Sequence, residues 1–114
     1  MEVVIYTEDE FKRQFKKLAK KYRSIVDDYE SFLADLEENP FQGSDLGKGI
    51  KKVRMAIASK GKGKSGGARV ITYNIQQVAD TIQIDLLTIY DKSEISNVSD
   101  SFIEYLMDKR DNLK

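Results

Sequence analysis

No cysteine and no histidine occur among the 114 residues. Without cysteine, neither a disulfide framework nor a thiolate zinc site can form. Without histidine, a histidine general acid/base pair and a histidine-ligated metal are both excluded. No apolar run approaches the roughly 20 residues of a membrane span. The opening Met1-Glu2-Val3-Val4-Ile5-Tyr6 is too short and too acidic for a signal peptide. The cytoplasm is therefore the expected location, and neither metal nor cofactor is expected.

A third absence is local. Residues 46 to 79 contain no acidic side chain but eight basic ones: Lys48, Lys51, Lys52, Arg54, Lys60, Lys62, Lys64 and Arg69. The chain as a whole is neutral, so this stretch carries +8 and the remainder −8. Such polarity predicts a face built for a polyanion. At its centre lies Lys60-Gly61-Lys62-Gly63-Lys64-Ser65-Gly66-Gly67, where glycines remove bulk and lysines supply charge. With 40% hydrophobic and 33% charged residues, the chain reads as one soluble, folded domain over 1–114.

Val3 to Tyr6 is a short β-branched and aromatic run that predicts a strand. Thr7-Glu8-Asp9-Glu10 reads as a capping box. Phe11, Phe15, Leu18 and Tyr22 follow at helical spacing, with Lys12, Arg13, Lys16, Lys17, Lys20 and Lys21 filling a solvated face. Ser24 or Asp27 offers a second cap, ahead of Val26, Tyr29, Leu33 and Leu36. Asn39-Pro40 ends that helix. Together the two helices form an αα-hairpin. Phe41 to Gly49 reads as a loop. Lys52 to Ser59, Ala68 to Ile75 and Thr81 to Tyr90 then read as an antiparallel meander. Ser99 or Ser101 caps a last helix carrying Phe102, Ile103, Leu106 and Met107. The expected order is β-α-α-β-β-β-α, an α+β domain with helices on one sheet face. Tyr22, Tyr29 and Tyr105 read as packing residues.

Strand alternation places Arg54, Ala56 and Ala58 on one face, and Arg69 with Ile71 and Tyr73. If these faces coincide with that of Tyr90, small alanines floor a groove ringed by Arg54, Arg69, Tyr73 and Tyr90. The third strand is apolar on both sides, so it needs a bulge or burial of both faces near its end.

Ala58 to Ser65 fits a loosened P-loop pattern, but a P-loop opens a helix. Here Gly66-Gly67 leads into a strand, Arg69-Val70-Ile71-Thr72-Tyr73, and that reading fails. Arginine and lysine can clamp phosphate oxygens and stabilise a pentacovalent transition state. Tyrosine can orient or donate a proton, and RNA brings its own nucleophile, the 2′-hydroxyl. This residue set suffices for metal-free RNA cleavage to a 2′,3′-cyclic phosphate and a 5′-hydroxyl. It suffices equally for phosphate binding without catalysis.

Three segments taken together resemble a known family: Lys52-Val53-Arg54; Lys60-Gly61-Lys62-Gly63-Lys64-Ser65-Gly66-Gly67-Ala68-Arg69; and Leu87-Thr88-Ile89-Tyr90-Asp91-Lys92. The chain resembles the RelE/ParE superfamily of bacterial toxin–antitoxin toxins, closest to its HigB-like, RelE-type branch. The resemblance implies a RelE-like fold: an N-terminal strand and αα-hairpin packed on an antiparallel sheet, with a C-terminal helix. It implies a ribosome-dependent mRNA endonuclease that inhibits translation. The implied partners are the ribosome, mRNA and a cognate antitoxin carrying a helix-turn-helix. By position, Arg54, Arg69, Tyr90 and Lys92 become the expected catalytic residues. Lys60, Lys62, Lys64, Lys51 and Lys52 become the expected RNA contacts. Some relatives use a histidine that this chain lacks. Two other readings stay open: a ParE-like DNA gyrase inhibitor without nuclease activity, and a non-catalytic nucleic-acid-binding module.

Overall fold

The computed structural model describes residues 1–112. Its elements are β1 (Glu2–Thr7), α1 (Asp9–Lys21), α2 (Ile25–Glu38), β2 (Ser44–Gly47), β3 (Ile50–Met55), β4 (Ala68–Val78), β5 (Thr81–Asp91) and α3 (Asp100–Asn112). A single 3-10 turn, Ala58–Lys60, follows β3. The five strands form one mixed sheet in the order β1-β5-β4-β3-β2. The fold is α+β, and the β3-β4-β5 meander forms as the alternation predicts.

The expected antiparallel sheet needs correction at both edges. β1 joins it parallel to β5, with Glu2 opposite Thr81 and Thr7 opposite Leu86. The αα-hairpin carries the chain from β1 to β2 at the far edge, and the antiparallel run β2-β3-β4-β5 then brings it back beside β1. The other edge is β2, inside the segment read as a loop. It has no apolar alternation, and it folds back on β3 through Gly47, Lys48 and Gly49, all at positive φ.

The helices do not share one face. Phe11, Leu18, Ile25, Phe32 and Leu36 of α1 and α2 pack on Val53, Met55, Val70, Ile82, Ile84, Leu86 and Ile89. Ile103 and Leu106 of α3 pack on Ile50, Ile71, Leu87 and Tyr90, on the opposite side. β5 is therefore buried on both faces, as its doubly apolar pattern requires. Alternation sends Leu86 and Leu87 to different cores, and a bulge at Leu87, where Ile71 pairs with Thr88 and Thr72 with Leu86, shifts the parity so that Ile89 joins Leu86 and Tyr90 joins Leu87.

Local chemistry sets the ends of the elements. α1 begins after Glu8, with no side-chain cap, because Thr7 is still in the β1 ladder and the Glu8 amide donates to the Leu86 carbonyl. The Glu10 carboxylate accepts instead from Arg13 and Gln14. Ser99 caps α3: its hydroxyl accepts from the Phe102 amide at 3.1 Å. Ser24 does not cap α2. Its hydroxyl accepts from the Ser59 amide at 2.9 Å, while the Asp28 carboxylate accepts from the Ala58 amide. These bonds end β3 early, so Ala56 and Ala58 lie outside the strand; Ala56 lines a cavity with Arg54 and Lys64, and neither Arg69 nor Tyr90 lines it.

Gly67 sits where backbones meet. A Cβ there would lie 2.2 Å from the Met55 carbonyl oxygen and 2.9 Å from the Ile57 nitrogen. Gly67→Ala must push β3 and β4 apart, and we expect a loss of about 2 kcal/mol, read as a lowered melting temperature. An unchanged melting point would mean that the loop gives way instead.

Candidate phosphate-binding site

The register brings three expected catalytic residues into one row. Arg54 pairs across the sheet with Arg69, and Arg69 with Tyr90. The row is not an open groove. Arg69 is 7% and Tyr90 6% exposed, with Ile103 and Leu106 of α3 in the same cluster as Tyr90. The Tyr90 hydroxyl is buried and makes no hydrogen bond among the described residues. Burial pushes its pKa up, and the nearby Arg69 charge offsets this only in part. A phenol held protonated is a poor general base. Tyr73 lies further along this face, beneath the Arg110 guanidinium, at 4.9 Å from the ring centroid.

Arg69 holds the glycine loop. Its guanidinium donates to the carbonyls of Lys64, Ser65 and Ala68, each at 3.1 Å. The expected phosphate clamp is thus engaged by the protein's own backbone. A fork of fixed geometry is the side chain able to hold several carbonyls at once. Gly61, at φ 71°, turns the chain out of the 3-10 turn into this loop.

The loop places lysines around an open cavity of about 190 Å³. Its lining is Lys60, Lys62, Ser65, Gly66, Lys92 and Ser93. Lys62 and Lys92 are exposed and make no side-chain hydrogen bond or ion pair among the described residues. Three lysines line it, from the 3-10 turn, the loop and the segment after β5. An anion bound there would meet ammonium groups without displacing a carboxylate from Lys62 or Lys92.

Lys60 differs. Its side chain is 9% exposed, and its ammonium lies 2.7 Å from Oδ1 of Asp91, whose side chain is fully buried. Asp91 also accepts from the Tyr22 hydroxyl, the Ser93 hydroxyl and the Ser93 amide. Burial would raise the Asp91 pKa, but bonds from Lys60, Tyr22 and Ser93 outweigh it and hold the carboxyl well below its usual range. Lys60 also lies over the Tyr22 ring, 5.6 Å from its centroid. Tyr22, expected to be packing alone, is thus part of the site.

The other expected contacts are dispersed. Lys64 turns to Asp35 of α2 at 3.3 Å, an exposed pair of small energetic weight. Arg54 is exposed beside Lys64, in a second cavity lined also by Asp28 and Asp35. Lys51 and Lys52 are neighbours on β3 and so point to opposite faces, with Lys51 paired across the sheet with Asp45. Lys48 lies at the far end of the sheet, in a groove with Glu104 and Asp108. The acid-free stretch therefore does not form one positive face. Sequence reading also missed Asp91, Tyr22 and Ser93. The available signal was an aspartate on the β5 face that also carries Ile89 and Leu86, where a carboxylate must be paired.

Among the described residues, no group of His, Cys, Asp and Glu side chains could hold a metal, and no helix is long and apolar enough to cross a membrane. No protein-family model matches this chain.

Proposed function

We propose that this protein is a RelE-like toxin of a toxin–antitoxin module, cleaving mRNA on the ribosome without a metal. The observation that carries the reading is that Lys60, Lys62 and Lys92 line one open cavity, beside a glycine loop tied down by Arg69. The β-α-α order, the β3-β4-β5 meander and the closing helix also support a RelE-like fold.

In this reading a non-bridging phosphate oxygen of RNA enters the lysine cavity. The RNA 2′-oxygen attacks phosphorus, and the bond from phosphorus to the 5′-oxygen breaks. The 2′-hydroxyl gives its proton to solvent water, and the departing 5′-oxygen takes one from Lys92. Charge accumulates on the phosphate oxygens as the fifth bond forms, and the ammonium groups stabilise it. Lys92 is the cation nearest in sequence to Tyr90, is exposed, and is suited to donate to the leaving oxygen. Arg69 shapes the loop and Lys60 is held by Asp91. Tyr90 supports the face beneath α3. The antitoxin would cover the cavity or keep the protein off the ribosome.

A second reading has its own support. Arg69 and Lys60 already have protein partners, which suits phosphate binding without catalysis.

The test is cleavage of a defined mRNA on programmed ribosomes by purified protein. We expect fragments with 5′-hydroxyl and 2′,3′-cyclic phosphate ends. Replacing Lys62 and Lys92 by Gln should weaken binding and flatten the salt dependence, by roughly 0.7 in log–log slope per lost contact on single-stranded RNA. Salt-dependent binding without cleavage would establish the second reading. Growth arrest with intact mRNA would point to a gyrase-type target.

A further inference from the structure

Asp91 is a carboxylate placed where a strand buries its side chains completely. The residue is 1% exposed and lies on the α1/α2 face of the sheet, with Ile89 and Val70 nearby in the ladder. Burying a charge is costly unless it is paired and hydrogen-bonded. Here the Oδ1 atom accepts from Lys60 Nζ at 2.7 Å, Ser93 N at 2.9 Å and Ser93 Oγ at 2.7 Å. The Oδ2 atom accepts from the Tyr22 hydroxyl, and the Lys21 ammonium stands 3.8 Å away. Lys21 in turn is drawn outward to Glu94 at 2.5 Å. The partners come from the C-terminal end of α1, from the 3-10 turn and from the segment after β5.

An ammonium has three N–H donors. Lys60 directs one to Asp91 Oδ1 and a long one, 3.4 Å, to Ser93 Oγ. One donor remains, and Lys60 lines the cavity that Lys62 and Lys92 share. The base of the Lys60 side chain is fixed separately: Ser24 and Asp28 of the second helical segment hold the amides of Ser59 and Ala58. Backbone and ammonium are thus anchored independently, and little rotamer freedom is left.

We infer that Asp91, seconded by Tyr22, is a positioning residue that fixes the Lys60 ammonium at the cavity wall with one N–H left to meet a phosphate oxygen of RNA. The inference rests on the reading of the lysine cavity as an RNA-phosphate site. It makes Lys60 a preorganised donor, whereas Lys62 and Lys92 must order themselves on binding.

The test is a double-variant cycle on the full chain with Asp91→Asn and Lys60→Gln. Each single change should lower ribosome-programmed cleavage about tenfold to a hundredfold, since a donor displaced by about 1 Å forfeits that much. The double variant should be no slower than Lys60→Gln alone, because Asp91 acts through Lys60. Losses that multiply, or an Asp91→Asn protein with the wild-type rate, would overturn the inference. If Asp91→Asn does not fold, Tyr22→Phe, which removes one hydroxyl, takes its place in the cycle.

A second arm does not depend on cleavage. Lysine acetylation is followed by mass spectrometry, with and without a 2′-O-methyl RNA oligonucleotide. In the wild type, Lys60 should react about tenfold more slowly than Lys62 and Lys92, in keeping with its buried, hydrogen-bonded ammonium. The oligonucleotide should protect all three. In Asp91→Asn, Lys60 alone should become fast and lose protection. A Lys60 that stays slow and protected would defeat the positioning role even if the wild type cleaves RNA. A wild type that never cleaves would defeat the nuclease reading and leave this arm to decide the role of Asp91.

Discussion

Arg69→Ala is expected to reduce the proposed mRNA cleavage by at least about a hundredfold, and Arg69→Lys should recover little of it. The reason is the loop. The guanidinium holds the carbonyls of Lys64, Ser65 and Ala68 at once, and Ser65 lines the lysine cavity. An ammonium is a point donor and cannot reproduce a rigid fork. Removal of the whole side chain also leaves a void beside Tyr90 in a buried row. Stability should fall as well, by about 2 to 4 kcal/mol in Arg69→Ala. Three measurements on the same proteins decide the matter: cleavage, melting, and limited proteolysis of the 61–67 loop. New cleavage within that loop, together with lost activity, would match the anchoring role. A Lys variant with wild-type melting and an intact loop, yet a collapsed rate, would instead return Arg69 to direct phosphate contact.

The second large effect lies away from the cavity and concerns stability. Asp85 on β5 is fully buried, and the Arg110 guanidinium of α3 forms an ion pair with it. Gln83 donates to the same carboxylate at 2.7 Å. Burial alone would lower the Arg110 pKa, but the Asp85 carboxylate outweighs it and the pKa is raised. Removing one member of a buried pair costs about 3 to 5 kcal/mol, since the other charge stays behind. We therefore expect Arg110→Ala to lower the melting temperature by more than about 10 °C. Hydrogen exchange should show α3 losing protection before α1 does. The paired change Asp85→Leu with Arg110→Met should restore most of the loss, because apolar groups of similar size remove the desolvation cost. A single variant that melts with the wild type would show that the pair contributes nothing net.

Much of the fold was legible because the strongest patterns were local. The α1 stripe of Phe11, Phe15 and Leu18 and the Asn39-Pro40 stop are short-range signals, and both match the structure. The doubly apolar run of β5 also carried its own explanation, since a bulge at Leu87 puts Leu86 with Ile89 in one core and Leu87 with Tyr90 in the other. What escaped was long-range. Nothing between Glu2 and Thr7 says that the strand pairs in parallel with residues near 81 to 86. Nothing in Asp100 to Asn112 says on which face α3 lies. Ser44 to Gly47 is too polar and short to announce an edge strand.

The site divides in the same way. Lys60, Lys62 and Lys92 were legible as cations, and a strand followed by a tight turn can gather them. The carboxylates that engage Lys60 and Lys64 come from β5 and α2, at Asp91 and Asp35. An acid-free stretch of chain is therefore not an acid-free surface. Tyr22 shows the reverse error: helical spacing placed it correctly against the core, but its hydroxyl reaches past the core to Asp91.

The parallel pairing of β1 with β5 also bears on how this molecule is made. Glu2 and its partner Thr81 are separated by roughly eighty residues, and every later pair along that ladder keeps the same separation. Contacts of such span form late, after the entropy of closing the intervening chain has been lost. During synthesis the first strand emerges with its apolar residues unpartnered, and the α1/α2 hairpin has no sheet to cover. The same strand, β5, leads into Asp91, Ser93 and Lys92, so the last piece needed to shelter β1 is also the last piece of the lysine cavity. On the ribosome, neither the shelter of β1 nor the lysine cavity can form before the chain has been made as far as Ser93.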